Sequence, residues 1–210
     1  MKQPISILPA IALRGTTILP EMIVHFDVSR ERSIKAIEAA MLHDQKIFLV
    51  TQKDMQTENA KQDDVYAIGV IAEIKQIVKM QNHIVRVIVE AKEKAELAYF
   101  IDNDELLKAQ VVLVEESEEK EVLAPEVEEA MLRALQEELL KYCASNPKIG
   151  KELKKQADGL NEIHSFIRIV AGNLPISYEK RQKLLETESL TEQYEALMQL
   201  LLYETNIQQI

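Results

Sequence analysis

The chain changes its hydrophobic period once, abruptly, and that change limits the folds open to it. Before residue 115 the apolar residues mostly recur at every second position. After residue 129 they recur at spacings of three, four and seven, the marks of a strand face and of a helix face respectively. Between them lies EESEEKEVLAPEVEE, residues 115 to 129, with eight acidic side chains against one Lys. Strands first and helices second is an α+β pattern. We read residues 1–116 as a β-rich lobe with one helix, and 117–210 as an all-helical lobe.

Within the first lobe, residues 5 to 13 and 22 to 28 are rich in Ile, Val, Leu and Phe and read as neighbouring strands flanking RGTTILPE. Ser29 is placed to cap a helix over RERSIKAIEAAMLH, where Ile34, Ile37 and Met41 recur at helical spacing. KIFLV at 46 to 50 is a short run of buried-strand type, followed by a polar loop. Val70, Ala72 and Ile74 then share one face, and Val85, Val87 and Val89 another. KMQNH at 79 to 83 reads as the hairpin between them, with Asn82 suited to positive φ. Leu106 to Val114 completes six strands.

In the second lobe, Pro125 suits the first position of a helix with Val127, Met131, Leu135, Leu139 and Tyr142 on one face, broken at Asn146-Pro147. Leu160, Ile163, Ile167 and Val170 form another apolar stripe, stopped at Gly172-Asn173. Ser177 caps a short helix, and Ser189 with Glu192 has the spacing of a capping box before a long last helix. No Gly, Pro or basic final turn appears before Ile210. The sequence therefore reads as a fragment whose long last helix is truncated.

Charge and motifs narrow the function. The net charge is -10, with 14 basic against 17 acidic residues up to position 115 and 11 against 18 beyond it. Neither half offers the basic stripe that a nucleic-acid partner needs. The nine-residue run ISILPAIAL, interrupted by Pro9, suits neither a signal peptide nor a membrane span. A single cysteine, Cys143, leaves no intrachain disulfide and a cytoplasmic location as the default. His25, His43, His83 and His164 lack metal-ligand spacing. Gly150-Lys151-Glu152 lacks both the earlier Gly and the Ser or Thr of a P-loop, and no G-x-S-x-G elbow is present. The expectation is a chain that is no enzyme by itself and carries no metal or cofactor.

What remains is surface. Exposed apolar clusters on globular proteins mark partner sites, and TTILPEM sets Ile18, Leu19, Pro20 and Met22 at a bend where turn chemistry favours small polar residues. Met80 adds an adaptable thioether in the hairpin turn. On the last helix, Leu190, Tyr194, Leu197 and Leu201 form a stripe suited to pairing with another helix.

The stretch LPAIALRGTTILPEMIVHFDVSRERSIKAIEAAM, together with IFLVTQKD, VYAIGVIAEIKQIVK, VRVIVEAKEKAEL and IRIVAGNLPISYEKRQKLLETESL, resembles the N-terminal substrate-recognition region of the Lon ATP-dependent protease family across almost the whole chain. Departures from the family pattern include Ala12, Gly15 and Asn82-His83, the last in place of Asn-Gly or Asp-Gly. The resemblance implies a PUA-like pseudobarrel, then a helical lobe whose last helix leads toward an ATPase domain. It also implies a parent serine protease that is hexameric, uses ATP and Mg, and serves protein quality control.

By that resemblance this region selects unfolded or damaged proteins, and the expected client-binding residues are Ile18, Leu19, Pro20, Met22, Ile77 and Met80, on the premise that bend and hairpin turn lie close together. The competing expectation is an architectural arm, with the Leu190, Tyr194, Leu197, Leu201 stripe as its oligomer contact. A stand-alone LON-domain protein is disfavoured by the helical half, and RNA binding by the charge and the scarcity of aromatic residues.

Overall fold

A computed structural model describes residues 5–103, 105–114 and 122–207. The chain divides into two compact units, Met1–Glu115 with Ser177–Leu185, and Glu116–Ile176 with Glu186–Ile210. The first unit therefore takes back a helix from the second half of the sequence.

The first unit is built on six strands: β1 (Ile5–Leu13), β2 (Ile23–Val28), β3 (Lys46–Thr51), β4 (Ile68–Lys79), β5 (Val85–Asp102) and β6 (Leu107–Leu113). Their order is β2-β5-β4-β3-β1-β6, and a further β5–β6 pairing closes the last five into a barrel. Closure depends on the length of β5. Its first half pairs with β2 and β4, and its second half pairs with β6. Helix α1 (Glu31–Met41) packs on β1, β3 and β6 through Ala36, Ile37 and Ala40, so β3 is covered on both faces and Ile47 to Thr51 are all buried. That is why KIFLV carries no polar alternation. Arg30, with no side-chain cap bond, stands at the helix start instead of Ser29.

β1 and β2 are not neighbours; β3, β4 and β5 lie between them. The connection RGTTILPEM is therefore no hairpin, and its middle, Thr17 to Leu19, runs through the interior. Ile18 and Leu19 are 3% and 4% exposed. Thr17 is buried as well, with its Oγ1 2.9 Å from Thr51 Oγ1, and Thr51 donates to the Thr16 carbonyl at 2.8 Å. The returning helix α5 (Tyr178–Glu186) is fastened to this unit by hydrogen bonds: buried Gln182 donates to the Ile68 carbonyl at 2.9 Å and Tyr178 to the Lys53 carbonyl at 3.0 Å.

In the second unit, α2 (Pro125–Ser145) packs against α3 (Pro147–Ala157), α4 (Ile163–Asn173) and α6 (Leu190–Ile207). Pro125 occupies the first turn of α2 as expected. Leu135, Leu139 and Tyr142 of its apolar face are buried, whereas Val127 is exposed. Gly150 makes the α2–α3 approach possible: a Cβ there would lie 2.6 Å from both Cα and O of Cys143. Glu162 caps α4, accepting the N–H groups of His164 and Ser165 at 2.8 and 2.7 Å. Ser189 accepts the N–H of Glu192 at 3.1 Å.

Candidate functional site

The first half of β5, with β2 on one side and the last half of β4 on the other, forms a three-stranded ribbon. Cross-strand register places Val24, Phe26 and Val28 of β2 opposite Val89, Val87 and Val85 of β5. On the other side Ile74 and Ile77 of β4 stand opposite Val89 and Val87. Because side chains alternate, these residues share one face. Val87 and Val89 are buried at its centre, while Val24, Phe26 and Ile77 are half-buried around them.

The opposite face is charged. Lys75 bridges Glu73 and Glu90 at 3.0 Å each, and Lys92 lies 2.7 Å from Glu90. Arg86 grips Asp27 through two bonds of 2.8 and 3.0 Å. Hydrogen bonds from Lys92 and Lys75 hold the Glu90 carboxyl below its ordinary range, and Arg86 does the same for Asp27. Such pairs keep that face hydrated and contribute little to stability. That face also carries Ile23, 69% exposed, but among ion pairs, whereas Met22, Val24, Phe26 and Ile77 adjoin one another without a charge between them.

The bend sits at one end of this face. Leu19 C=O accepts the Met22 N–H at 3.3 Å, Pro20 occupies the second position of the turn, and Glu21 follows with φ 70, the pattern of a type II turn. Glu21 N–H then donates to Ala91 C=O, and Ala91 N–H to Met22 C=O, both at 2.9 Å. This bulge, with its first residue in the left-handed region, fixes the strand. It also places Met22, half-buried, in line with Val24 and Phe26. The Met22 sulfur accepts the Leu19 N–H at 3.2 Å.

Several sequence expectations need correction. Ile18 and Leu19 are core residues and offer no contact surface; Pro20 and Met22 are half-buried, and Met80 is 43% exposed. The bend and the hairpin turn are not adjacent: Met22 is bonded to Ala91 and Met80 to Ile84, positions about 23 Å apart along β5 at roughly 3.3 Å per residue. They stand at opposite ends of the ribbon, and alternation from Ile77↔Val87 through Val78↔Arg86 and Lys79↔Val85 puts Met80 on the side of Arg86, off the valine face. The residues that extend Met22 along that face, Val24 and Phe26, are not among the expected contacts. Their signal in the sequence is the period-two run Met22, Val24, Phe26, Val28. On α6, Leu197 and Leu201 are 0% exposed and Leu190 is buried. Tyr194 is half-buried. The stripe is occupied by packing within its own chain against α2 and α4.

Among the described residues no group of three or more His, Cys, Asp or Glu could hold a metal ion, and no helix is long and apolar enough to cross a membrane. Burial pushes the Cys143 thiol up, away from thiolate reactivity.

Comparison with known proteins gives the family. The family model for the ATP-dependent protease La (LON) substrate-binding domain matches residues 7–202. The Lon protease of Lachnoclostridium phytofermentans is 40% identical over 205 residues, covering 97% of this chain and 25% of the relative. That of Heliobacterium modesticaldum is 36% identical over 211 residues, covering 99% and 25%. The chain thus spans about a quarter of the length of these relatives. Among solved structures, the N-terminal domain of Mycobacterium avium complex Lon protease superposes with a TM-score of 0.69 at 18% identity, covering 96% of this chain and 98% of that one. A Lon N-terminal domain protein from Xanthomonas campestris gives 0.62 at 16% identity, covering 94% and 98%. At these identities the structural likeness speaks for the fold.

Proposed function

The chain belongs to the LON substrate-binding domain family of ATP-dependent proteases, and from that premise we propose that it selects unfolded or damaged proteins through the valine face of the β2-β5-β4 ribbon. The observation that carries this reading is the division of one ribbon into two unlike faces, one lined with ion pairs, the other apolar, with Val87 and Val89 buried at its centre and Met22, Val24, Phe26 and Ile77 half-buried around them. An unfolded protein differs from a folded one chiefly in its exposed apolar side chains. A receptor for many such sequences needs an apolar surface that gains affinity from several weak contacts. Met22, Val24, Phe26 and Ile77 supply that surface, with Pro20 at one end. Cleavage, ATP and Mg use, hexamer formation and a cytoplasmic location belong to the parent protease in this reading, and client choice to the present chain.

Fluorescence anisotropy with a labelled, reduced and carboxymethylated protein tests the assignment. Each half-buried side chain has about 1 kcal/mol of apolar burial left to gain, so Met22→Asp and Phe26→Asp should each weaken binding at least fivefold while circular dichroism shows a folded chain. Lys92→Ala, on the charged face where Lys92 lies 2.7 Å from Glu90, should leave binding within twofold. Equal losses from all three substitutions would remove the face-specific reading. An assembly role is favoured by one observation, the exposure of Tyr203 and Ile207 one helical turn apart on α6. Sedimentation of a Tyr203→Ser, Ile207→Ser double variant reads that role separately.

A further inference from the structure

The ribbon ends in two open strand edges, and they are treated differently. On β4, pairing with β3 stops at Lys46↔Glu73. The stretch beyond it carries Lys75 and Lys79 and a register shift between Ile74 and Gln76, which are common devices for discouraging another strand from adding on. On β2, the sequence Ile23-Val24-His25-Phe26-Asp27-Val28 has no Lys and no Pro, and its pairing with β5 runs without a register shift from Ile23 to Val28.

The hydrogen-bond phase of β2 is set by Ala91 N–H donating to Met22 C=O. Alternate residues Met22, Val24, Phe26 and Val28 therefore turn their backbone groups to β5, and Ile23, His25 and Asp27 turn theirs outward. Among the described residues nothing bonds to those outward groups. Three N–H and three C=O groups thus stand two residues apart along an unguarded edge. Among protein segments, an extended backbone is the one that meets donors and acceptors at that spacing in place of water; a helix satisfies its own.

We propose that the outer edge of β2 takes up an extended segment of an unfolded client as an added antiparallel or parallel strand, a deepening that rests on the client-selecting role proposed above. Backbone pairing reads extension rather than sequence, which is what a selector of varied unfolded chains requires. The neighbouring Met22, Val24 and Phe26 receive every second side chain of the added strand. A folded protein, with its backbone already paired, is refused on the same ground.

Amide hydrogen exchange of the full chain, measured by NMR with and without reduced, carboxymethylated ribonuclease at saturation, tests this directly. The amides of Ile23, His25 and Asp27 should slow at least tenfold on client addition, and those of Val24 and Phe26, already paired with β5, should change little. His25→Pro removes one outward N–H and no bond to β5, a place where an edge strand tolerates proline; it should weaken client binding at least threefold. If this variant does not fold, the exchange result on the unaltered chain decides alone. Client binding with the three amides still exchanging at their free rates overturns strand addition and leaves the valine face as a side-chain site. Absence of any client binding overturns both. Protection that grows with the concentration of the chain itself, without client, assigns the edge to a second copy and also overturns the proposal.

Discussion

Gly150→Ala isolates how closely two helices approach in the second unit. An added Cβ would stand 2.6 Å from both Cα and O of Cys143 and 2.8 Å from its Cβ, against an ordinary contact that begins near 3.4 Å. The shortfall is about 0.8 Å, and two of the three atoms are backbone, so no side chain can swing aside; α3 must move off α2. Overpacking of this kind costs roughly 1–3 kcal/mol, and contact with backbone puts it at the upper end. Opposing it, Ala is favoured over Gly inside a helix by about 1 kcal/mol. The clash wins, for a net loss near 2 kcal/mol, or a fall in Tm of about 4–8 °C in a chain of this size. Urea titration followed by circular dichroism at 222 nm measures it. A variant as stable as the parent, or more stable as propensity alone requires, would refute the close approach and with it the reason for a glycine here.

Other substitutions probe the core, a turn and a helix cap. Leu19→Ala, at a buried position, should cost about 2–5 kcal/mol in chemical denaturation, whereas a surface residue would cost under about 0.5 kcal/mol. His83 takes φ 58 directly after Asn82 at φ 60, so His83→Gly should raise stability by up to about 1 kcal/mol in the same titration, relieving left-handed strain at some cost in chain entropy. Glu162→Ala removes the cap of α4 and should cost about 1 kcal/mol by thermal melts at neutral pH. Burial pushes the Glu162 carboxyl up, but the N–H groups of Ser165 and His164 outweigh it and the net shift is downward. A depressed folded value means that this carboxylate stabilises the fold above the ordinary glutamate range, with the contribution lost as pH falls through the lowered value. The difference between parent and Glu162→Ala should therefore shrink on acidification below about pH 4.

The two periodicities suffice to read the strands, the helices other than α3 and the point where one regime gives way to the other; α3 goes unread because Asn146-Pro147 looks only like a break. Spatial order is not readable in the same way. Nothing in ISILPAIAL or MIVHFDV says that β1 and β2 are separated by three strands, because pairing partners are chosen by the whole sheet and local patterning is silent on them. That single error propagates: a connection taken for a surface bend is given surface residues, and Ile18 and Leu19 turn out to be core. The α6 stripe fails for a related reason, since an apolar helical face looks the same whether its partner is another molecule or its own α2. Phe26 and Val24 are readable in principle from alternation, yet the apolar turns are the more conspicuous signal. Gly150 attracts notice as part of a false phosphate motif; its role is steric and depends on a contact with Cys143 that spacing alone does not reveal.

Chemical-shift mapping of the isotope-labelled chain, titrated with a reduced, denatured protein, tests the client-selecting role of the valine face most directly. The largest changes should fall on Met22, Val24, Phe26 and Ile77 and decline toward Glu73, Lys75 and Lys92 on the charged face. Changes concentrated on α6, or on the charged face with the valine residues unmoved, would contradict it.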